Sequence, residues 1–474
     1  MDNVEMNVAD NDKSYYRAIA WALIILGCGL RFLLFWYNSP DNSYDNHFEP
    51  IVIMTKLGII PAKDACFQCY QPPVFYFISA LVAKACIGLG FGTAALYKVL
   101  QFVNALYAML TLVVLYSILK RVPVSGFARL LALGTVCFLP RHIYMSAMHS
   151  NDTISYFGVA LSILLLLIAF ERKLPYRYLV LLSLSVAFTI FTKYTAFVVL
   201  PALFAAFAMN FIRCSVATRK RTLVSVVVVF LFPVLLLGAY SIANMKEYGK
   251  ALPWNDSTID TASEHPRAEG GTSFTTLKPW TTIGTPIIVP GNMDSFWTLI
   301  YSRMWFDMEP MFLDLIDPDR PWWNQYYSWL RGEAPFPSAK SPLSTPTRLT
   351  GSLLITLGLV PLVLSIVGLI YYVFRWLGSR GRGVEYYTLP VFLLLMLFNG
   401  AGVLLLGFKA PVYSSMKAAY FLSSIPAFAV FLAYGVTAIE KRKKVKYLLA
   451  IIFSLLFALV TLHILHIAVS VATR

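Results

Sequence analysis

The chain is organised by long apolar runs separated by brief polar punctuation. Runs of roughly twenty residues recur, the length at which a helix crosses a ~30 Å hydrocarbon layer. Residues 446–470, KYLLAIIFSLLFALVTLHILHIAVS, show the form. The runs are continuous in Leu, Val, Ile and Phe and lack the in-out alternation of barrel strands, so helices are the spanning element. Spans are predicted at 17–37, 96–119, 126–147, 153–170, 177–192, 195–212, 222–245, 351–374, 386–408, 413–438 and 446–470. The expected fold class is an all-α polytopic membrane protein, a bundle of about eleven transmembrane helices with interfacial helices on its outer face.

Charge fixes the orientation. Only 13% of residues are charged while 58% are hydrophobic, and the net charge of +15 is concentrated in short loops. That distribution is a topology signal and argues against a nucleic-acid partner. The clusters Lys120/Arg121/Arg129, Arg172/Lys173/Arg177, Arg213/Arg219/Lys220/Arg221, Arg375/Arg380/Arg382 and Lys441/Arg442/Lys443/Lys444/Lys446 are expected to share the cytoplasmic side. The turns at His149–Asp152, Thr192–Thr195, Lys246–Arg348 and Lys409–Ser415 then lie outside. If 74–91 and 96–119 both crossed, the first cluster would land outside too, so Pro72–Gly90 is expected to be interfacial or re-entrant. No small-residue cleavage site follows Arg17–Tyr37, which reads as a retained first span. The expected division is a cytoplasmic tail (1–16), a catalytic-type transmembrane module (17–245) with an outer loop (38–95), a Trp/Pro-rich outer loop (246–349) and C-terminal transmembrane helices (350–474). Trp254, Trp280, Trp297, Trp305, Trp322 and Trp323 suggest that the second loop folds back on the membrane.

Chemistry clusters in the outer segments. Asp45, in NSPDNSYDNHFEP, could accept a proton from a hydroxyl or hold a divalent ion with His47 and Glu49; the segment also reads as a solvated turn. Cys66 and Cys69 are spaced like half of a zinc or redox motif, but an outer compartment favours a small disulfide-closed loop. Arg141 and His142 should face the protein interior or an aqueous cavity. Asn151 and Asp152 cap the next helix, or Asp152 faces Asp45 across one cavity. Lys193, Lys409 and Lys417 run against the basic-inside trend and would suit a lipid-linked phosphate, although each could equally snorkel to headgroups.

These motifs, in order, resemble the GT-C membrane glycosyltransferases, in particular the subgroup of protein O-mannosyltransferases and lipid A aminoarabinose transferases. The matching features are an acidic residue after the first span, the Pro-Pro-aromatic helix start within Gln71–Tyr76, Asn151-Asp152, Thr192-Lys193, and Lys417-x-x-Tyr420 with Pro426. The resemblance implies a polyprenyl-phosphate-linked sugar donor on the outer face and a lipid, glycan or protein acceptor. It implies Asp45 as catalytic base, Asp152 as second acid, and Lys193 and Lys417, with Lys98, near the donor phosphate. His47, Glu49, Gln71, Tyr76, Arg141, Asn151 and Tyr420 complete the expected substrate site. Asn46 stands where the mannosyltransferases carry a second acid, and Lys417-Ala-Ala-Tyr420 replaces the more usual Arg-Tyr pair. The expectation is an inverting hexosyl- or pentosyltransferase in a bacterial inner membrane, with no certain cofactor beyond a divalent ion that Asp45 could hold. No Gly-rich phosphate loop points to a nucleotide sugar. A secondary transporter or flippase is the rival class, but no inverted repeat or paired broken spans support it.

Overall fold

The computed structural model describes residues 14–40, 46–213, 215–253, 271–281, 295–306, 345–378, 385–411 and 416–472. Among the described residues the regular structure is helical, apart from an isolated bridge between Ser273 and Ser295. The helices are α1 (Ser14–Tyr37), α2 (Phe48–Leu57), α3 (Val74–Gly88), α4 (Thr93–Leu119), α5 (Gly126–Cys137), α6 (Pro140–Ser146), α7 (Asp152–Glu171) and α8 (Tyr176–Ile190). They continue with α9 (Val199–Arg213), α10 (Val216–Tyr248), α11 (Phe296–Trp305), α12 (Thr345–Gly378), α13 (Glu385–Lys409), α14 (Ile425–Ile439) and α15 (Lys443–Ala472). Two 3-10 turns, Tyr194–Val198 and Ala418–Ser424, lead into α9 and α14. Nine helical segments among the described residues are long and apolar enough to cross a bilayer. The shorter apolar helices α5 and α8 fall in the other two predicted spans.

The span expected at 126–147 is not one helix. Pro140 has no N–H to offer the carbonyl of Val136, so the helix stops at Cys137 and restarts as α6. Arg31 of α1, fully buried, fills the gap. Its Nη1 donates to the carbonyls of Cys137 (2.8 Å) and Gly27 (2.7 Å), and its Nη2 to that of Val136 (3.1 Å). Nη2 also lies 2.7 Å from Nδ1 of His142. The guanidinium is therefore satisfied by two carbonyls at the break and one of its own helix, which is how a charge can be held inside an apolar bundle. The approach is close because residue 27 is glycine: a Cβ there would lie 2.9 Å from Cβ of Cys137.

Helix α3 begins and ends at one end of the bundle. Its first amide, Val74, donates to the carbonyl of Phe191 at the end of α8 (3.0 Å). Only a few residues after its end, Lys98 on α4 donates to the carbonyls of Phe35 (2.6 Å) and Asn38 (2.7 Å) at the end of α1. Asn38 in turn donates to Ala147 (2.8 Å), and Asn151 to Thr192 (3.3 Å), so all these points share one end. Fifteen residues span only about 22 Å as helix. With Phe77, Leu81 and Ile87 exposed, α3 has the form expected of an interfacial helix. Four of the five basic clusters come to the opposite end. There Arg121 pairs with Glu171 (3.2 Å), Arg221 donates to Leu174 O (3.2 Å) and Lys446 lies over the Phe127 ring (4.9 Å).

Lipid chains are as apolar as Leu, so close packing and interhelical hydrogen bonds hold such helices together. Ser162 of α7 bonds Ser185 of α8 (2.9 Å), and Tyr144 of α6 bonds His463 of α15 (2.7 Å). The tightest crossing joins α12 to α14, the most enclosed span, where Gly368 meets Gly435. A Cβ on Gly368 would fall 1.7 Å from the carbonyl oxygen of Phe431, and neither helix can yield without parting. Gly368→Ala should thus lower stability by at least the ~1–3 kcal/mol of ordinary overpacking. Gly238→Ala, with open space around it, should not. Thermal unfolding of both variants in detergent would show the difference.

Candidate active site

The N-terminus of α7 is set by the turn Met148–Asn151, which brings Asp152 into the first helical turn. The expected side-chain cap does not form. Asn151 instead turns to the carbonyl of Thr192, and the Asp152 amide points to Ser150 Oγ (3.3 Å). Lys193 follows the end of α8 in extended backbone, which swings its side chain away from the helix axis. Its Nζ lies 2.7 Å from Asp152 Oδ1, and both residues are buried. Tyr156, one turn along α7 and so on the same face, places its hydroxyl 3.1 Å from Asp152 Oδ1 and 2.7 Å from the carbonyl of Ala419. Nζ of Lys193 also lies 5.5 Å from the centre of the Tyr420 ring. One carboxylate thus ties together the start of α7, the link between α8 and α9, and the 3-10 turn Ala418–Ser424.

The first loop comes to the same end. His47 Nδ1 lies 2.9 Å from the Tyr76 hydroxyl, and His149, three residues before Asp152, stacks on Phe48 with ring centres 4.3 Å apart. Gln71 Nε2 donates to the Tyr70 hydroxyl (2.7 Å), and the Tyr194 hydroxyl to Tyr70 O (3.2 Å). Cys66 and Cys69 form a disulfide at the start of this segment. Asp45 lies outside the described residues, two positions before His47. Glu49 is exposed in the first turn of α2, and Arg141 is buried in α6. Lys98 points to the carbonyls of α1, which gives it a structural task besides the expected one. Lys417 precedes the 3-10 turn that carries Tyr420. Among the described residues no three His, Cys, Asp or Glu side chains gather as metal ligands would; Asp45, expected as a possible ligand, lies outside them.

Two residues escaped the sequence reading. Tyr156 could have been found, since it stands four residues after Asp152 on one helix. Arg303 could not: it lies in a loop without clear periodicity, yet it is buried in α11 and donates to the carbonyl of Met416 (2.8 Å), beside Lys417. The opposite side of α11 faces a cavity of about 390 Å³. Trp297, Tyr301 and Met304 of α11, Leu362 of α12, Met396 of α13 and Phe421 of the 3-10 turn line it. That turn therefore has the ion pair at Tyr420 and an apolar chamber at Phe421.

Residues 70–237, which hold Asp152, Tyr156 and Lys193, match the family model described as dolichyl-phosphate-mannose-protein mannosyltransferase. Among curated proteins none matches. Solved structures of the Archaeoglobus fulgidus oligosaccharyltransferase are similar in fold. The form tethered to an acceptor peptide containing the NVT sequon shares 14% identity at a TM-score of 0.52, covering 98% of this chain and 56% of that one. The apo form shares 13% at a TM-score of 0.51, covering 97% and 56%. This chain thus spans a little over half the length of those it resembles. The likeness to the GT-C membrane glycosyltransferases read from the sequence is borne out: the chain has that fold, and the family model falls on the segment that builds the ion pair.

Two outcomes follow from the geometry. Removing one partner of a buried ion pair leaves an uncompensated charge and costs about 3–5 kcal/mol. Asp152→Asn and Lys193→Met should each destabilise by that order, and the double variant by clearly less than their sum, in a double-mutant cycle read by thermal unfolding. Burial, with His47 nearby, pushes His149 down to about 3. The folded protein keeps this imidazole neutral, whereas the unfolded chain takes up a proton below about 6.5. Stability should fall as pH drops from about 6.5 towards 3, and His149→Phe, which keeps the stack on Phe48, should flatten that fall in melts recorded across the range.

Proposed function

We propose that this protein is a membrane glycosyltransferase that moves a sugar from a polyprenyl-phosphate-linked donor to a hydroxyl acceptor at the end of the bundle holding Asp152 and Lys193. The observation that carries this reading is the buried Asp152–Lys193 pair, built from segments inside the family match and joined through one 3-10 turn to a large apolar cavity. A charged anchor beside an apolar chamber is the chemistry that a phosphate on an isoprenoid tail requires. The donor's phosphate sits against Lys193 and Lys417, with Arg303 behind them. Asp152 is a positioning residue that holds Lys193 in one place before substrate arrives, so little reorganisation is needed as charge develops on the leaving phosphate.

Asp45 takes the proton from the acceptor hydroxyl, whose oxygen attacks the anomeric carbon as the bond to phosphate oxygen breaks. The configuration inverts, and the lipid phosphate leaves. His47, held by Tyr76, positions the first loop for this step. The disulfide at the same end and the basic clusters at the other both support an outward-facing site, since disulfides persist in oxidising compartments and Lys/Arg loops stay inside. The acceptor is a lipid, glycan or protein.

Purified protein should release polyprenyl phosphate from a labelled polyprenyl-phosphate sugar when acceptor is present. Asp45→Asn should reduce transfer by about 10²–10⁴-fold, the usual worth of a general base, without changing the melting temperature. Wild-type transfer by a folded Asp45→Asn variant would remove the base from this scheme.

A further inference from the structure

We infer that the protein reads only about the first three isoprene units of its carrier and leaves the rest of the tail to the bilayer. This inference rests on the polyprenyl-donor reading above and adds a length limit to it. The cavity beside the ion pair has a finite volume of about 390 Å³. A cavity of ~150 Å³ lined by Leu, Ile and Phe takes up benzene, so the chamber here accommodates roughly fifteen carbons, or three isoprene units. Its walls come from α11, α12, α13, the 3-10 turn and α14, with Leu139 from the break between α5 and α6. Of the polar groups on its lining residues, Ser424 Oγ accepts from Asn399 (2.8 Å), Tyr301 donates to the carbonyl of Ile355 (2.6 Å) and Trp297 Nε1 donates to the carbonyl of Phe274 (2.8 Å). The lining is almost wholly apolar and selects an occupant by shape and length.

An isoprenoid seated here can place its charged end toward the 3-10 turn, which runs from Lys417 through Tyr420, against Lys193, to Phe421 and Leu422 in the wall. Charge at one end and a partly open apolar volume at the other suit a prenyl phosphate whose tail continues into lipid. Beyond the chamber the tail meets lipid, which is as apolar as the protein, so additional units gain no contacts that the bilayer does not already provide.

The test is displacement of radiolabelled undecaprenyl phosphate from the purified, full-length protein by unlabelled prenyl phosphates, at a fixed mole fraction in detergent. Farnesyl and geranylgeranyl phosphate should compete as well as undecaprenyl phosphate, and geranyl phosphate about tenfold less well, because it leaves part of the chamber without contacts. Met396→Trp, on a partly exposed wall position, should bring geranyl level with farnesyl phosphate; the wild-type series decides the matter if that variant does not fold. Equal competition by dimethylallyl phosphate, or potency that keeps rising to undecaprenyl, would overturn the length limit while leaving the donor class intact. Equal competition by phosphatidic acid would assign the chamber to bulk lipid and overturn it too. Failure of folded protein to bind undecaprenyl phosphate at all would overturn both this inference and the function on which it rests.

Discussion

The buried Asp152 carboxylate and Lys193 side chain lie 2.7 Å apart, and that contact fixes how three chain segments meet. The start of α7 must face the end of α8, and the 3-10 turn must lie where Tyr156 can reach Ala419. Once these are set, the first loop has one place to go. Val74 bonds Phe191, two residues before Lys193, and His149 stacks on Phe48. The pair adds little net stability of its own, since desolvation opposes the attraction. Its contribution is to allow a single arrangement of parts that lie far apart in the sequence.

A similar logic operates deeper in the bundle. Pro140 breaks a helix and removes an amide that would have bonded the carbonyl of Val136; Arg31 is a cation buried in the bundle. Each defect answers the other, and the result joins α1 to α5 and α6 just below the site. Packing supplies the remaining order. The Gly368–Gly435 crossing brings α12 and α14 into backbone contact, and α14 continues directly from the turn that carries Tyr420. The wall of the apolar chamber and the anchor for the ion pair are thereby parts of one stiff assembly.

Much of this was legible in the sequence, because lipid imposes a length and a polarity on every crossing. The spans, the shared end of the basic clusters and the short reach of α3 all follow from apolar runs and from where Lys and Arg stand. The pairing of Cys66 with Cys69 was one of two open readings, and the structure takes that one. Asp152 and Lys193 were visible as charges at neighbouring turns, but not their direct contact, which depends on the extended backbone at Lys193. The capping role of Asn151 is not seen: its Nδ2 donates to Thr192 O, and its side chain makes no cap bond to a first-turn amide. Arg303 was hidden for a different reason: a lone cation in a Trp/Pro-rich loop carries no periodic signal, and only the path of the chain brings it beside Met416. Asp45 was identified by its position after the first span and lies outside the described residues.

The dependence of Arg31 on Val136 and Cys137 has a consequence for biogenesis. The first helix leaves the ribosome with a cation that has one acceptor, Gly27 O, in its own helix and two others 105 and 106 residues further along the chain. At about 5–20 residues per second, that interval is roughly 5–20 s. During it, the arginine must be accommodated by the insertion machinery, by headgroups or by water drawn into the membrane, at a cost of about 2.5–3.5 kcal/mol if it lies near the centre. Final seating of the first helix is therefore a late event, completed only when the broken fifth and sixth helices arrive to receive it.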